Sequence, residues 1–244
     1  MATVTGGQGN IVTNGLVLNL DAANPRSYAP PFNGTTWQNV ALVSSSLTGS
    51  LVNGPIFSTS GSGCIVFDGT NDYTNLGNMP YNRTTFSVFA WANFPTFHVN
   101  WKSGIITKWF TGGGTGVDNE WFLGVNNIGG PSPFACTVQY SLGSSAYVSI
   151  SDSVNYVTNT WYHVGFTWNS GTLSLYKNGN FITSSSTVNT SAQTTTQPIY
   201  VANFYDAVNY PSNVRVGSTQ MYNRALSTSE VLQNFNATRA RFGI

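Results

Sequence analysis

Short runs of strand-forming residues, punctuated by Gly, Asn, Pro and Ser, recur from Gly15 to Tyr222 and constrain the fold more than any other feature. They include "GLVLNLDA", "SLVNGPIFS", "CIVFDG", "SVFAWANF", "GIITKWF", "EWFLGVN", "FACTVQYS", "AYVSIS", "WYHVGFTW", "TLSLYKNGNFIT", "PIYVANFY" and "NVRVGSTQMY". Repeated short strands with turn residues between them predict an all-β sandwich or barrel. In "WYHVGFTW", Tyr162, Val164, Phe166 and Trp168 alternate with Trp161, His163, Gly165 and Thr167, so the first set is expected between two sheets. Asn178-Gly179 in "LYKNGNF" fits a two-residue type I′ hairpin, because both central positions need positive φ. No shift in composition marks a second domain. Residues 1–14 read as a polar arm, followed by one domain over 15–244.

The closing stretch "MYNRALSTSEVLQNFNATRARFGI" reads differently. Ser227 and Glu230 have capping-box spacing, and Leu226 and Val231 are placed for a hydrophobic staple. Val231, Leu232 and Phe235 share a helical face, and a helix this short needs a docking surface. A sheet edge or the open end of the sandwich is the expected surface. Arg224, Arg239 and Arg241 are expected to form a solvated rim, with contact to a neighbouring subunit as the alternative.

Hydrophobic residues make up 41% and aromatics 14%, enough for a sizeable core. Charged residues are only 7%, where about 25% is usual. A net charge of +1 gives no electrostatic case for nucleic acid or an anionic membrane. No apolar run approaches the ~18 residues of a membrane span. The first residues, "MATVTGGQGNIVTNG", show neither a basic n-region nor an apolar h-region. A polar, uncharged surface without an export signal fits a virus particle, whose subunits are made in the host cytoplasm; an extracellular protein is the alternative. Cys64 and Cys136 are expected as buried free thiols, with a disulfide left open by spacing. No Cys/His cluster suggests structural zinc.

"GLVLNLDAANPRSY", "FDGTNDY", "WYHVGFTW", "LYKNG" and "MYNRALSTSEVLQNF" together resemble the laminin-G-like domains of the concanavalin A-like lectin/glucanase superfamily. The resemblance covers residues 15–236. It implies a jelly-roll sandwich of two antiparallel sheets, to which the sequence adds the one short C-terminal helix, and binding or adhesion more often than catalysis. "LDAANPRSY" with "YNRALS…NFNA" resembles the versions found in bacteriophage structural proteins. Ser218, Thr219 and Gln220 stand where that family often has an acidic residue, which puts a calcium network there in doubt. The implied function is a non-enzymatic virion surface protein, a phage head decoration or fibre component. Its partners would be other virion proteins or copies of itself, with host-surface glycans as possible ligands. A stand-alone carbohydrate-binding lectin module is the alternative, and a glycoside hydrolase a weaker one.

A glycosidase needs two carboxylates flanking the scissile bond. The only glutamates are Glu120 and Glu230; Glu230 serves the cap, and Asp118 with Glu120 reads as a loop-end pair in solvent. No catalytic residue is assigned. His98 and His163 alternate with aromatics and read as sheet histidines. "FTGGGTG" lacks the Lys-Ser/Thr ending of a phosphate loop and reads as a connection between strands. Asp68, Asn71 and Asp72 in "FDGTNDY" could hold Ca²⁺, but hydrogen-bonding to their own turn is favoured, so no cofactor is expected. For glycans, which take exposed aromatics beside amides and hydroxyls, the candidates are Trp109, Phe110, Trp121, Tyr205, Asp206, Asn209 and Tyr210. Core packing is the competing reading for the two tryptophans. In the arm, Val4, Ile11 and Val12 are the few apolar anchors, and a neighbouring subunit is expected to hold them, with folding back as an extra edge strand beside "GLVLNL" as the alternative.

Overall fold

The computed structural model describes residues 10–41, 48–96, 103–109, 119–126, 133–139, 146–204 and 210–244. Along the chain run β1 (Leu16–Asp21), β2 (Thr36–Gln38), β3 (Thr48–Val52), β4 (Ile56–Ser58), β5 (Cys64–Asp68) and β6 (Tyr73–Asn75). Then come β7 (Thr85–Asn93), β8 (Ser103–Lys108), β9 (Trp121–Val125), β10 (Pro133–Gln139) and β11 (Tyr147–Asn155). The last are β12 (Trp161–Asn169), β13 (Thr172–Lys177), β14 (Asn180–Ser186), β15 (Tyr200–Val201) and β16 (Asn213–Tyr222), before helix α1 (Thr228–Thr238).

They form two antiparallel sheets. The first runs β14-β13-β12-β7-β16-β5-β4, and the second runs β11-β10-β9-β8-β15-β6-β3-β2. Strand β16 is long enough to take two partners along one edge: Asn213–Val216 pairs with β5 and Ser218–Tyr222 with β1. The inter-sheet core joins Leu18, Val88, Val164, Phe166, Trp168 and Val216 to Ile106, Trp121, Leu123, Phe134, Cys136 and Val138. The expected inward set of β12 is there, with Tyr162 partly buried against it. Asn178 (φ 50) and Gly179 (φ 78) make the expected hairpin turn. The jelly-roll expectation holds, and Cys64 and Cys136 are buried and free.

The helix departs from expectation in where it docks. It lies on the outer face of the first sheet rather than on an edge or open end. Phe235 and Phe242 meet Trp91 and Trp161 from that face, and Val231 meets Phe89, Tyr176 and Tyr222. Strand β7 is therefore buried along almost its whole length, which is why "TFSVFAWAN" is apolar at successive positions. The capping box and the apolar pair Leu226 and Val231 are as expected. Leu232 is not: it is 43% exposed, and Asn234 takes its place in the docked face. Gly217 permits the close approach, since a Cβ there would sit 2.6 Å from Phe242.

Two of the arginines are not a solvated rim. Arg224 grips Glu230 through both terminal nitrogens, at 2.9 and 2.6 Å, and donates Nε to the Asn14 carbonyl. Arg241 reaches Asp21 Oδ1 at 2.6 Å and the carbonyls of Gly61 and Gly63. Arg239 lies over the Phe235 ring. The end of the arm is also occupied by its own domain. The Val12 N–H donates to Asn234 Oδ1 at 2.8 Å, its carbonyl accepts from Tyr222 Oη at 3.0 Å, and Ile11 packs beside it. Ile11 and Val12 thus make contacts within their own domain, while Val4 lies outside the described residues.

Candidate functional site: an aromatic groove at the sheet margins

"SLVNGPIFS" is not one strand. Asn53 (φ 67) and Gly54 (φ 96) turn the backbone through the left-handed region, and Pro55 removes a ladder donor. The chain therefore leaves the second sheet at β3 and enters the first at β4. Strands β2 and β4 are the margins of the two sheets, and an open groove of about 410 Å³ lies beside them. Its walls are Phe32–Thr35, before β2, and Asn53–Phe57, with Leu51 as floor.

Inside, the Phe32 and Phe57 rings stack with centroids 4.3 Å apart and planes 12° apart. Tyr28 flanks the stacked pair, 6.1 Å from Phe32 and 6.0 Å from Phe57, and ties down the Phe32–Thr35 wall by donating its hydroxyl to the Gly34 carbonyl at 3.0 Å. Leu51 N–H donates to the Thr35 carbonyl, joining the wall to β3. Phe32 and Phe57 are half-buried, whereas Asn33, Thr35 and Asn53 are exposed at the rim. Asn53 is steadied by its Nδ2 donating to the Asn71 carbonyl at 2.8 Å. No described lining residue is charged.

The residues singled out from the sequence are placed elsewhere. Trp121 is wholly buried in the inter-sheet core, so it cannot stack on a glycan. Trp109 is 8% exposed and packs with Phe122, Ala135, Phe204 and the half-buried Tyr210 on the outer face of the second sheet. Phe110, Tyr205, Asp206 and Asn209 lie outside the described residues, as do His98 and Asp118. Asp68 Oδ1 accepts from the Thr70 N–H and Asp72 Oδ2 from the Asp68 N–H, while Asn71 is exposed. These carboxylates close their own turn, and burial pushes the Asp72 carboxyl up.

Glu120 is not a solvent-facing acid. It is fully buried where β8 ends and β9 begins, with Oε1 2.6 Å from the equally buried Lys108 ammonium. The same oxygen accepts from Thr195 N at 2.7 Å and Thr195 Oγ1 at 2.9 Å. Oε2 accepts from the Tyr81 hydroxyl, and Arg83 Nε is 3.7 Å away. Burial lowers the Lys108 pKa, with the Glu120 hydrogen bond opposing it. Burial and then the Glu120 charge hold the Tyr81 hydroxyl well above its usual range. A carboxylate so saturated is an internal tie between strands and loops.

Sequence reasoning passed over the groove. Its signals were "APPFNGTT" and "VNGPIF", each placing an aromatic near an Asn-Gly pair, yet nothing local says that the two rings meet.

A family model described as the concanavalin A-like lectin/glucanases superfamily, of laminin-G type, matches residues 68–232. No curated protein matches the chain. Among solved structures, the binding domain of Paraclostridial mosquitocidal protein 1 superposes with TM-score 0.68 at 15% identity, over 92% of this chain and 52% of that one. A Trypanosoma rangeli sialidase in complex with sialic acid gives 0.67 at 16%, over 96% and 34%. The receptor-binding domain of botulinum neurotoxin type G gives 0.62 at 14%, over 91% and 51%. This chain therefore spans about a third to half of those chains, and at such identities the likeness is one of fold. With the family model covering more than half its length and the two-sheet sandwich in place, the chain belongs to the laminin-G-like domains of the concanavalin A-like lectin/glucanase superfamily.

Proposed function

We propose that this is a non-enzymatic, carbohydrate-binding surface domain, carried on a virus particle as a phage head decoration or fibre component and directed at host-surface glycans. The groove carries the reading. A pyranose presents an apolar C–H face edged by hydroxyls, and a half-exposed ring with amides and a hydroxyl at its rim complements both. Two solved structures of like fold are a binding domain and a receptor-binding domain, which supports the same direction. A binding role without turnover is supported by Glu120, whose oxygens are taken up by Lys108, Thr195 and Tyr81 and offer a sugar no open acid. The particle context rests on the surface chemistry. With 7% charged residues, few ions would need desolvation when copies or other virion proteins pack against it.

A glycan array probed with the purified chain, with reducing ends assayed on the same sugars, tests the binding reading. Retention without release of product is expected. Retention of no glycan, or cleavage by the natural chain that Glu120→Gln abolishes, would overturn it. Mass spectrometry of purified particles should find the chain; its absence would remove the virion role and leave the binding role to the array.

A further inference from the structure

Resting on the carbohydrate reading, we infer that the groove takes an uncharged saccharide and that the Phe32 ring is its stacking platform. The first half follows from the chemistry of the groove's described lining, which holds no cation. The groove's described lining is Phe, Leu, Ile, Pro, Gly, Thr and Asn. Lys108 and Arg83 face Glu120, Lys177 faces Asp152, Arg224 faces Glu230 and Arg241 faces Asp21. Arg215 donates to Asn93 and Asn159. A sialic or uronic acid entering the groove would shed water from its carboxylate and meet no cation among the described lining residues, an uncompensated cost. A neutral hexose or N-acetylhexosamine loses only hydroxyl hydration, which Asn33, Thr35 and Asn53 can replace. A volume of about 410 Å³ lies within the usual range of small-ligand sites and favours a terminal sugar over a long chain segment.

The second half follows from the backbone. Phe32 holds φ 61, in the left-handed region that bulky residues rarely occupy. The inter-sheet core does not demand the ring there, since Phe32 is half-buried and joins that core from outside. Strain of this kind persists where a side chain must be presented, and ligand clamps are a common place for it. Phe57 stacks on one face of the Phe32 ring and Tyr28 flanks it at 6.1 Å, so neighbouring rings hold in place a ring that lines the groove.

The test is the array of neutral hexose- and N-acetylhexosamine-terminated glycans beside sialylated, uronic-acid and sulfated ones, with the natural chain, Phe32→Gly and Asn33→Ala. Neutral glycans should be retained equally at about 50 and 500 mM salt, as no ionic contact is made. Phe32→Gly should weaken retention about tenfold or more by removing the stacking ring. Its melting temperature should stay within about 3 °C, because glycine relieves the left-handed strain. Asn33→Ala should weaken retention without changing stability. Retention confined to anionic glycans and falling with salt overturns the neutral assignment and leaves the carbohydrate reading standing. Neutral glycans retained equally by both variants overturn the groove, again with that reading intact. If no glycan is retained, both fall. Should Phe32→Gly fail to fold, Asn33→Ala decides alone: its side chain is exposed, and unchanged retention overturns the groove.

Discussion

His163 lies flat against Phe89, with centroids 5.4 Å apart, and near Trp91 and Phe235, and its Nδ1 has no hydrogen-bond partner among the described residues. Burial lowers its pKa to about 3. The folded state therefore refuses a proton that the unfolded chain accepts below about pH 6.5. Stability is intact above that pH and falls as pH drops toward 3. Between pH 6.5 and 5, before most carboxylates titrate, the loss should approach ~1.4 kcal/mol per pH unit. His163→Phe, which keeps a ring on Phe89, should flatten that slope in denaturant titrations; an unchanged slope would place the proton uptake elsewhere. Glu120→Gln should cost ~3–5 kcal/mol, because it leaves the buried Lys108 ammonium uncompensated, and a loss within error in chemical denaturation would refute the tie. Alternation in "WYHVGFTW" was enough to set His163 opposite the inter-sheet face. The Glu120 pairing was not legible, since Lys108 and Thr195 reach it from an adjacent strand and a distant loop.

At the scale of elements, the helix shows where pattern reading succeeds and where it fails. Caps are local chemistry, and Ser227 and Glu230 behave as their spacing requires. Which face docks is not local. Neighbouring residues on a helix lie ~100° apart, so Val231 and Leu232 cannot both sit at the centre of one face. The row Val231, Asn234, Phe235 wins because Asn234 serves both Val12 and Tyr222 while the two apolar side chains fill the sheet's outer surface. Phe235→Ala should accordingly cost ~3–5 kcal/mol. Leu232→Ala should stay within about 0.5 kcal/mol. Equal losses by thermal unfolding would contradict this docking. The strands that the sequence failed to announce, β2 and β6, have three residues each, too short to show a period. "SLVNGPIFS" misled as one strand because its apolar ends outweighed the Asn-Gly-Pro corner that sends the chain from one sheet to the other.

Across the whole molecule, the two-sheet architecture could be read from strand recurrence, because every strand must bury a face and only stacked sheets bury so many. The groove could not, because its walls come from residues 32–35 and 53–57, which meet only once the sheets are formed. The aromatics chosen from the sequence follow the same logic in reverse: Trp121 and Trp109 stand in strands or at their ends, where the sandwich consumes rings, whereas Phe32 and Phe57 stand at the margins, where it leaves them partly open. The central claim, that this groove is where a glycan binds, is tested most directly by backbone NMR shift mapping during titration with the glycan best retained on the array. The account predicts perturbations centred on Phe32–Thr35 and Asn53–Phe57. Shifts centred instead on Trp109, Phe204 and Tyr210, with the groove resonances unmoved, would contradict it.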